Sequence, residues 1–218
     1  MTISRNFLSG YVDPKVEEYF YELLPPRDPV LAEMEKYADE HDVPIIGPAV
    51  ARLLAFLVQI SGAKRIFEMG SAIGYSTVWL ARAAGPKAEV FYTDGDPANA
   101  ARAKENFRRA GVAKRIHIQT GDALDLLKKA KGKFDIIFND VNKPQYPAAF
   151  RIALPKLRRS GLFITDNTLW SGKVASPAEA DDESTRAIRE FNRLIYHSKQ
   201  LYPVLLPLRD GVTACRKL

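Results

Sequence analysis

Cysteine and histidine are scarce in this chain, which has one cysteine and three histidines among 218 residues. A single cysteine, Cys215, cannot form an internal disulfide, and its place in a β-rich segment predicts a buried, unreactive thiol. His41, His117 and His197 are scattered along the sequence and lack the spacing of metal ligands. We therefore expect neither a disulfide nor a catalytic histidine.

Long apolar runs are also missing. No run approaches the roughly 20 residues of a membrane-spanning helix, and the first residues lack the apolar core of a signal peptide. These absences predict a cytoplasmic protein. The composition, 46% hydrophobic and 27% charged, suits a single domain with a sizeable core. Within this domain, 1–218, we expect a helical N-terminal extension, 1–61, and an α/β core, 62–218.

Positive charge exceeds negative charge, because 32 lysines and arginines face 26 acids and give a net charge of +6. The basic residues cluster in 101–115, 126–133 and 154–160, where apolar residues recur at helical spacing. This pattern is typical of solvated outer helix faces. An acidic or nucleic-acid partner stays open as the alternative.

From about residue 65 onward, short β-rich runs alternate with helical stretches, which predicts parallel βαβ units in a three-layer α/β sandwich. The predicted strands are 64–70, 88–94, 115–122, 134–140 and 162–167, and the predicted helices are 75–85, 96–111, 123–132, 146–161 and 184–199. The tail, 201–217, reads as two strands around a turn at Arg209-Asp210-Gly211, which indicates an antiparallel hairpin at one edge. Residues 14–61 are predicted to be largely helical and interrupted by prolines.

Ligands of open α/β sheets bind beyond the carboxyl ends of the strands. The first predicted strand is followed by "GSAIGYS", which has Ala72 where a dinucleotide fingerprint has its second glycine, and this argues against a dinucleotide. Asp94 and Asp122 follow the next two strands. There, Asp94 could accept hydrogen bonds from a ribose diol and Asp122 from the exocyclic amine of adenine. A phosphate-free, cationic adenosine such as S-adenosylmethionine fits this set. Alternatively, each acid alone is typical of a helix cap, and the glycines alone are typical of a tight turn between a strand and a helix.

The fourth and fifth strands end in oxygen-bearing side chains, Asp140 and the pair Asp166-Asn167. Such hard ligands suit magnesium, calcium or manganese. Lys143 follows Asp140 by three residues, so in its neutral form it could accept the proton of a hydroxyl bound nearby. Taken alone, Asp166-Asn167 is equally typical of a turn.

These segments together resemble the cation-dependent, S-adenosylmethionine-dependent O-methyltransferases, the group of catechol and caffeoyl-CoA O-methyltransferases. The motifs that carry the resemblance are "FEMGSAIGYST", "YTDGDP", "TGDALDLL", "FDIIFNDVNKPQY" and "ITDNTLWSGKV", and it extends over residues 25–218. The family fold is the class I methyltransferase sandwich, a Rossmann-like arrangement of seven strands with the last antiparallel.

The resemblance implies roles for individual residues. The methyl donor would be held by Glu68, Gly70, Ser71, Ser76, Asp94, Asp122 and Ala123. A divalent cation, usually magnesium, would be held by Asp140, Asp166 and Asn167. Lys143 would be the general base, working with Asp140, and Trp170 would wall the substrate pocket. Many members are homodimers, and we expect the same here.

Two positions depart from the family pattern. Asn142 stands where members commonly carry an acid, and "GPAVARLL" from Gly47 replaces a "PEQGQ"-like helix start. The expected reaction is methyl transfer to a hydroxyl of a small vicinal-diol or phenolic acceptor. The alternatives are a tRNA hydroxyuridine O-methyltransferase and a non-catalytic adenosine-binding module. Basic helices on the same rim as Asp140 would favour RNA, and basic helices on the far face would favour a small phenol.

Overall fold

The computed structural model describes residues 9, 11–177 and 182–218. A seven-stranded sheet with the order β3-β2-β1-β4-β5-β7-β6 lies at its centre. Strand β7 runs antiparallel to β5 and β6, and the other neighbours pair in parallel. The strands are β1 Arg65–Met69, β2 Glu89–Asp94, β3 Ile116–Thr120, β4 Phe134–Asn139, β5 Leu157–Thr165, β6 Leu201–Leu206 and β7 Val212–Lys217. The predicted fold class and edge hairpin are confirmed.

Eight α-helices are described, α1 Pro14–Glu22, α2 Pro29–Glu40, α3 Gly47–Ser61, α4 Tyr75–Ala84, α5 Pro97–Arg109, α6 Ala123–Lys129, α7 Tyr146–Lys156 and α8 Glu183–Tyr196. Side chains of α2 to α5 pack on one face of the sheet, and side chains of α6 to α8 pack on the other. Along β4, Ile136 and Phe138 join the first core and Ile137 the second. Strands covered on both faces explain the continuous apolar runs of the sequence.

Aspartates cap five of the described helices, because their side chains accept hydrogen bonds from backbone amides that have no partner within the helix. Asp13, Asp28, Asp96, Asp122 and Asp182 cap α1, α2, α5, α6 and α8 in this way. The predicted interruption of 14–61 by prolines is confirmed, and Pro29 begins α2. The division into 1–61 and 62–218 stays a prediction.

One predicted boundary is wrong. The segment 146–161 was expected to be a single helix, but α7 ends at Lys156 and Leu157 begins β5. Pro155 lies in the last turn of α7, where it cannot donate a backbone hydrogen bond. Pairing of Leu157 with Phe134 on β4 then starts the strand, with a register shift before Ile136.

The single cysteine behaves as predicted, since Cys215 on β7 is fully buried and burial raises the pKa of its thiol to about 12. None of the helices in the described ranges has the length and hydropathy of a membrane span.

Candidate functional site

A cavity of about 800 Å³ opens at the carboxyl ends of strands β1 to β5, which we call the carboxyl edge. Most of the predicted site residues line it: Gly70, Ser71, Ser76, Asp94, Asp122, Ala123, Asp140, Lys143, Asn167 and Trp170. The two others, Glu68 and Asp166, are fully buried. The structure thus gathers the residues predicted for the donor and for the acceptor around one cavity.

The loop between β1 and α4 is shaped by close approach to the next strand. Gly70 has a φ of +79°, and a Cβ there would lie 2.5 Å from the backbone oxygen of Asp140. Ala72 also has a positive φ, its amide donates to Asp94 Oδ2 at 2.8 Å, and its carbonyl accepts from the Tyr92 hydroxyl at 2.6 Å. A glycine is required at 70, whereas Ala72 is held in a left-handed conformation by its neighbours on β2.

Asp94 and Asp122 have structural partners as well as cavity exposure. Asp94 Oδ1 accepts from the amide of Asp96 at 2.9 Å and from the side chain of Asn99 at 3.1 Å. Asp122 Oδ1 caps α6 through the amide of Asp125 at 2.9 Å, and Oδ2 accepts from Gln145 at 3.3 Å. The cap interpretation therefore holds for Asp122, and it is compatible with a role at the cavity wall.

Glu68 lies in the last positions of β1 with no exposed surface. Its Oε2 accepts a hydrogen bond from the Thr77 hydroxyl of α4. Burial raises the pKa of Glu68 to about 7, and the hydroxyls of Ser76, Thr77 and Ser71 offset part of that rise. This carboxyl group is thus poised between its two protonation states near neutral pH.

Asp140 and Lys143 form a partly buried pair at the cavity. Lys143 Nζ lies 2.9 Å from Asp140 Oδ1, and the two side chains are 16% and 23% exposed. The same ammonium lies 5.9 Å from the centroid of the Trp170 ring. Lys143, the predicted base, therefore lies next to Asp140, the predicted metal ligand, and near Trp170, the predicted pocket wall.

Asp166 is fully buried beside this pair. Its Oδ2 accepts from Arg209 Nη1 at 3.1 Å, whereas Oδ1 is buried and has no hydrogen-bond partner. Burial raises the pKa of Asp166 to about 6, Arg209 and Lys143 lower it, and the nearby Asp140 raises it. A buried carboxylate oxygen without a partner is costly unless something else binds it.

Asn167 is oriented by Asp210, a residue that the sequence pattern places only in a turn. Asn167 Nδ2 donates to Asp210 Oδ2 at 3.0 Å, and Asp210 Oδ1 accepts from the amide of Ser171. Because a carboxylate only accepts hydrogen bonds, the NH₂ group of Asn167 must face it, and the amide oxygen points away.

These three side chains fit a hard divalent cation by their chemistry. Asp140, Asp166 and Asn167 offer oxygen atoms only, and the unpartnered Asp166 Oδ1 is an acceptor that a cation would satisfy. No three Asp, Glu, His or Cys side chains of the described residues form a metal-binding group. A cation here would therefore depend on the mixed set of two carboxylates and one amide.

Sequence reasoning missed part of the cavity wall. Residues 42–46, which precede α3, line the cavity together with Tyr75 and Arg209. Tyr75 donates to Glu35 Oε1 at 2.7 Å, and Arg27 Nε contacts the same carboxylate at 3.0 Å, so α2 is tied to α4 beside the cavity. Residues 42–46 precede β1 in the sequence and follow no strand, so they could not be found from the strand ends.

Comparisons with known proteins agree with this geometry. A family model described as O-methyltransferase matches residues 26–218. The chain is 32% identical over 194 residues to a catechol O-methyltransferase of Niastella koreensis, covering 86% of this chain and 87% of the relative. It is 35% identical over 179 residues to a catechol O-methyltransferase of Mycobacterium tuberculosis, covering 81% of this chain and 80% of the relative.

A solved structure shows the same architecture. The O-methyltransferase from Bacillus cereus, in complex with S-adenosylhomocysteine (SAH), superimposes with a TM-score of 0.85 and 31% sequence identity, over 94% of this chain and 97% of that one.

Proposed function

From the premise that this chain belongs to the O-methyltransferase family, we propose that it transfers a methyl group from S-adenosylmethionine to a hydroxyl of a small catechol-like acceptor, with a divalent cation. Membership of the family confirms the resemblance and makes the chain an enzyme. The observation that carries the proposal is the Lys143–Asp140 pair, which faces the same cavity as the residues predicted to hold the donor.

The donor side of the cavity supports an adenosine ligand with a positive charge. Asp94 and Asp122 bring carboxylate oxygens to the wall, and Gly70 lets the loop after β1 pass close to the end of β4. Acidic side chains favour a sulfonium over a phosphate-bearing ligand. The SAH held by the Bacillus cereus enzyme supports the same assignment.

Asp140, Asp166 and Asn167 would hold the divalent cation, most simply magnesium. When bound, such an ion supplies positive charge that acidifies two adjacent oxygens of the acceptor and aligns them. Asp210 would contribute by fixing the amide of Asn167, so that its oxygen faces the site.

In this proposal Lys143 accepts the proton of the reacting hydroxyl in its neutral amine form, and the ammonium that results pairs with Asp140. Its Nζ lies beside Asp140 and near the face of Trp170, so a flat aromatic acceptor against Trp170 would bring a hydroxyl within its reach. The acceptor oxygen then attacks the sulfonium methyl carbon in line, and SAH leaves. Most of the acceleration comes from alignment of the reacting atoms and from charge neutralisation, as the acceptor anion attacks the cationic sulfonium.

The position of the basic residues favours a small acceptor over RNA. The cavity is rimmed by acids, including Asp42, Asp96 and Asp122, and the basic segments end at the opposite edge of the sheet. Polyanions bind surfaces of the other sign. A homodimer and a cytoplasmic location stay predictions.

The proposal is tested by methyl transfer from labelled S-adenosylmethionine to a panel of catechols, with magnesium or with EDTA. We expect turnover to require the cation and Asp140→Ala to reduce it by about 100-fold or more, because a metal ligand is lost. Calorimetry should still show SAH binding to this variant. Asp125→Ala, an exposed acid that pairs with Lys128, is the control. Full activity in EDTA would overturn the cation dependence.

A further inference from the structure

Arg209 places a permanent positive charge on one of the proposed metal ligands. Its Nη1 lies 3.1 Å from Asp166 Oδ2, and the side chain is only 14% exposed. The other oxygen of the same carboxylate, Oδ1, is buried and has no hydrogen-bond partner. The carboxylate of Asp166 thus has a guanidinium on one oxygen and an open position on the other.

The turn that carries Arg209 is held firmly against the end of β5. The amide of Thr168 donates to the carbonyl of Gly211, and the amide of Leu169 donates to the carbonyl of Asp210, both at 2.9 Å. The Tyr11 hydroxyl donates to the carbonyl of Arg209. Arg209 itself has a φ of +51°, a conformation that a residue with a side chain keeps only when its surroundings impose it. The position of the guanidinium is therefore built into the fold.

We propose that Arg209 is a resident cation of the metal site, which shares the Asp166 carboxylate with the divalent ion and weakens the binding of that ion. The inference rests on the proposed function, because it concerns the same cation. It explains how the fully buried carboxylate of Asp166 is tolerated near the partly buried one of Asp140, because Lys143 pairs with Asp140 and Arg209 with Asp166.

The expected sign follows from charge. A divalent ion on Asp166 Oδ1 would lie across one carboxylate from the guanidinium, and two positive charges at such a separation repel. Removing the guanidinium removes this repulsion and leaves Asp166 buried without its partner. The variant should therefore bind the ion more tightly and depend on it more for stability.

The test compares wild type with Arg209→Gln and Arg209→Lys by calorimetry with Mn²⁺ at pH 8.5. We expect Arg209→Gln to bind Mn²⁺ about tenfold more tightly than wild type, and Arg209→Lys to stay close to wild type because it keeps the charge. Thermal unfolding gives a second readout: Mn²⁺ should raise the Tm of Arg209→Gln more than that of wild type. Arg82→Gln, which breaks the remote pair with Asp28, is the control for loss of an arginine.

Each outcome of these measurements either supports or contradicts the role proposed for Arg209. The inference would be overturned if Arg209→Gln bound Mn²⁺ no more tightly than wild type. The proposed function would still stand if Asp140→Ala abolished the Mn²⁺ binding of the wild-type protein. No Mn²⁺ binding by any of the proteins would overturn the proposed cation dependence and this inference with it. Binding by Arg209→Gln alone would support the inference and overturn the dependence in wild type. If Arg209→Gln does not fold without the ion, recovery of folding by Mn²⁺ supports the inference, and no recovery contradicts it.

Discussion

Two carboxylic acids are fully buried, Glu68 near the end of β1 and Asp166 directly after β5, and burial raises the pKa of each. A raised pKa means that the folded protein prefers the protonated acid more than the unfolded chain does. Both groups therefore make stability decrease as the pH rises, which is opposite to the usual effect of paired surface acids.

Glu68→Gln tests this at one residue. Below about pH 4.5 Glu68 is protonated in both the folded and the unfolded state, and its burial as a neutral acid contributes fully to stability. As the pH rises through the folded pKa of about 7, the wild type loses this contribution to the free energy of unfolding. Glutamine stays neutral, so the Tm of the variant relative to wild type should rise with pH, by about 5 °C or more between pH 4.5 and 8. The contribution of Asp166 is present in both proteins and cancels.

Thermal unfolding of the ligand-free proteins across this pH range gives the measurement. Glu40→Gln, at a position 53% exposed, is the matched control and should show a constant difference from wild type. A pH-independent difference for Glu68→Gln would contradict the prediction.

The sequence was sufficient to predict those site residues that directly follow a strand of the parallel sheet. Asp94, Asp140 and Asp166 were found because alternation of β-rich and helical stretches shows where each strand ends, and all carboxyl ends meet at one edge. Arg209 and Asp210 were not found. They reach the site only because β7 pairs antiparallel with β5, with Thr213 opposite Thr165, and a register between distant segments is not visible in local pattern.

The turn from β1 into α4 has little room for added volume. Gly74 begins α4 with a φ of +83°, and a Cβ there would lie 2.5 Å from Cε1 of Phe107 on α5. Phe107 is buried and packs edge-on against Tyr92, so it has little room to retreat.

We expect Gly74→Ala to lower the free energy of unfolding by about 2–4 kcal/mol, from the left-handed φ together with the overlap. Gly62→Ala is the matched control, because Gly62 also has a positive φ, +64°, but has nothing within 4 Å of the added Cβ. It should lose only about 1 kcal/mol. Urea denaturation measures both, and equal losses would show that the overlap with Phe107 costs nothing.

Element boundaries were less predictable than element types. The sequence pattern predicts too long a helix at 146–161, because "KLRRSG" is typical of a basic helix end followed by a glycine stop. In the structure Gly161 instead lies where β5 approaches β4, and a Cβ there would lie 2.9 Å from the carbonyl oxygen of Asp135. A glycine needed for close approach of two strands thus has the same sequence signal as a helix stop.

At the scale of the whole molecule, charge is separated between the two edges of the sheet. The carboxyl edge carries Asp96, Asp122 and Asp182, which cap α5, α6 and α8. Basic residues in the last turns of α6 and α7 lie at the amino ends of the strands, which we call the amino edge. There, Lys156 Nζ donates to the carbonyls of Lys128 and Ala130 at the end of α6, and Lys217 Nζ donates to that of Leu154 near the end of α7. Helices that start at one edge and end at the other favour acids at their first turns and bases at their last turns, which explains the separation without a polyanionic partner.

This separation leads to a last prediction, that bulk tRNA does not compete with a catechol acceptor. Any tRNA would bind the amino edge, away from Asp140 and Lys143, and such binding weakens steeply with salt. Kinetics of methyl transfer with and without tRNA, at low and moderate salt, should therefore show an unchanged KM for the acceptor. The double variant Lys128→Glu, Lys129→Glu serves as the control, since it should reduce tRNA binding in a filter assay and leave turnover unchanged. Competitive inhibition by tRNA that salt relieves would contradict the prediction, because it would require RNA to bind at the carboxyl edge.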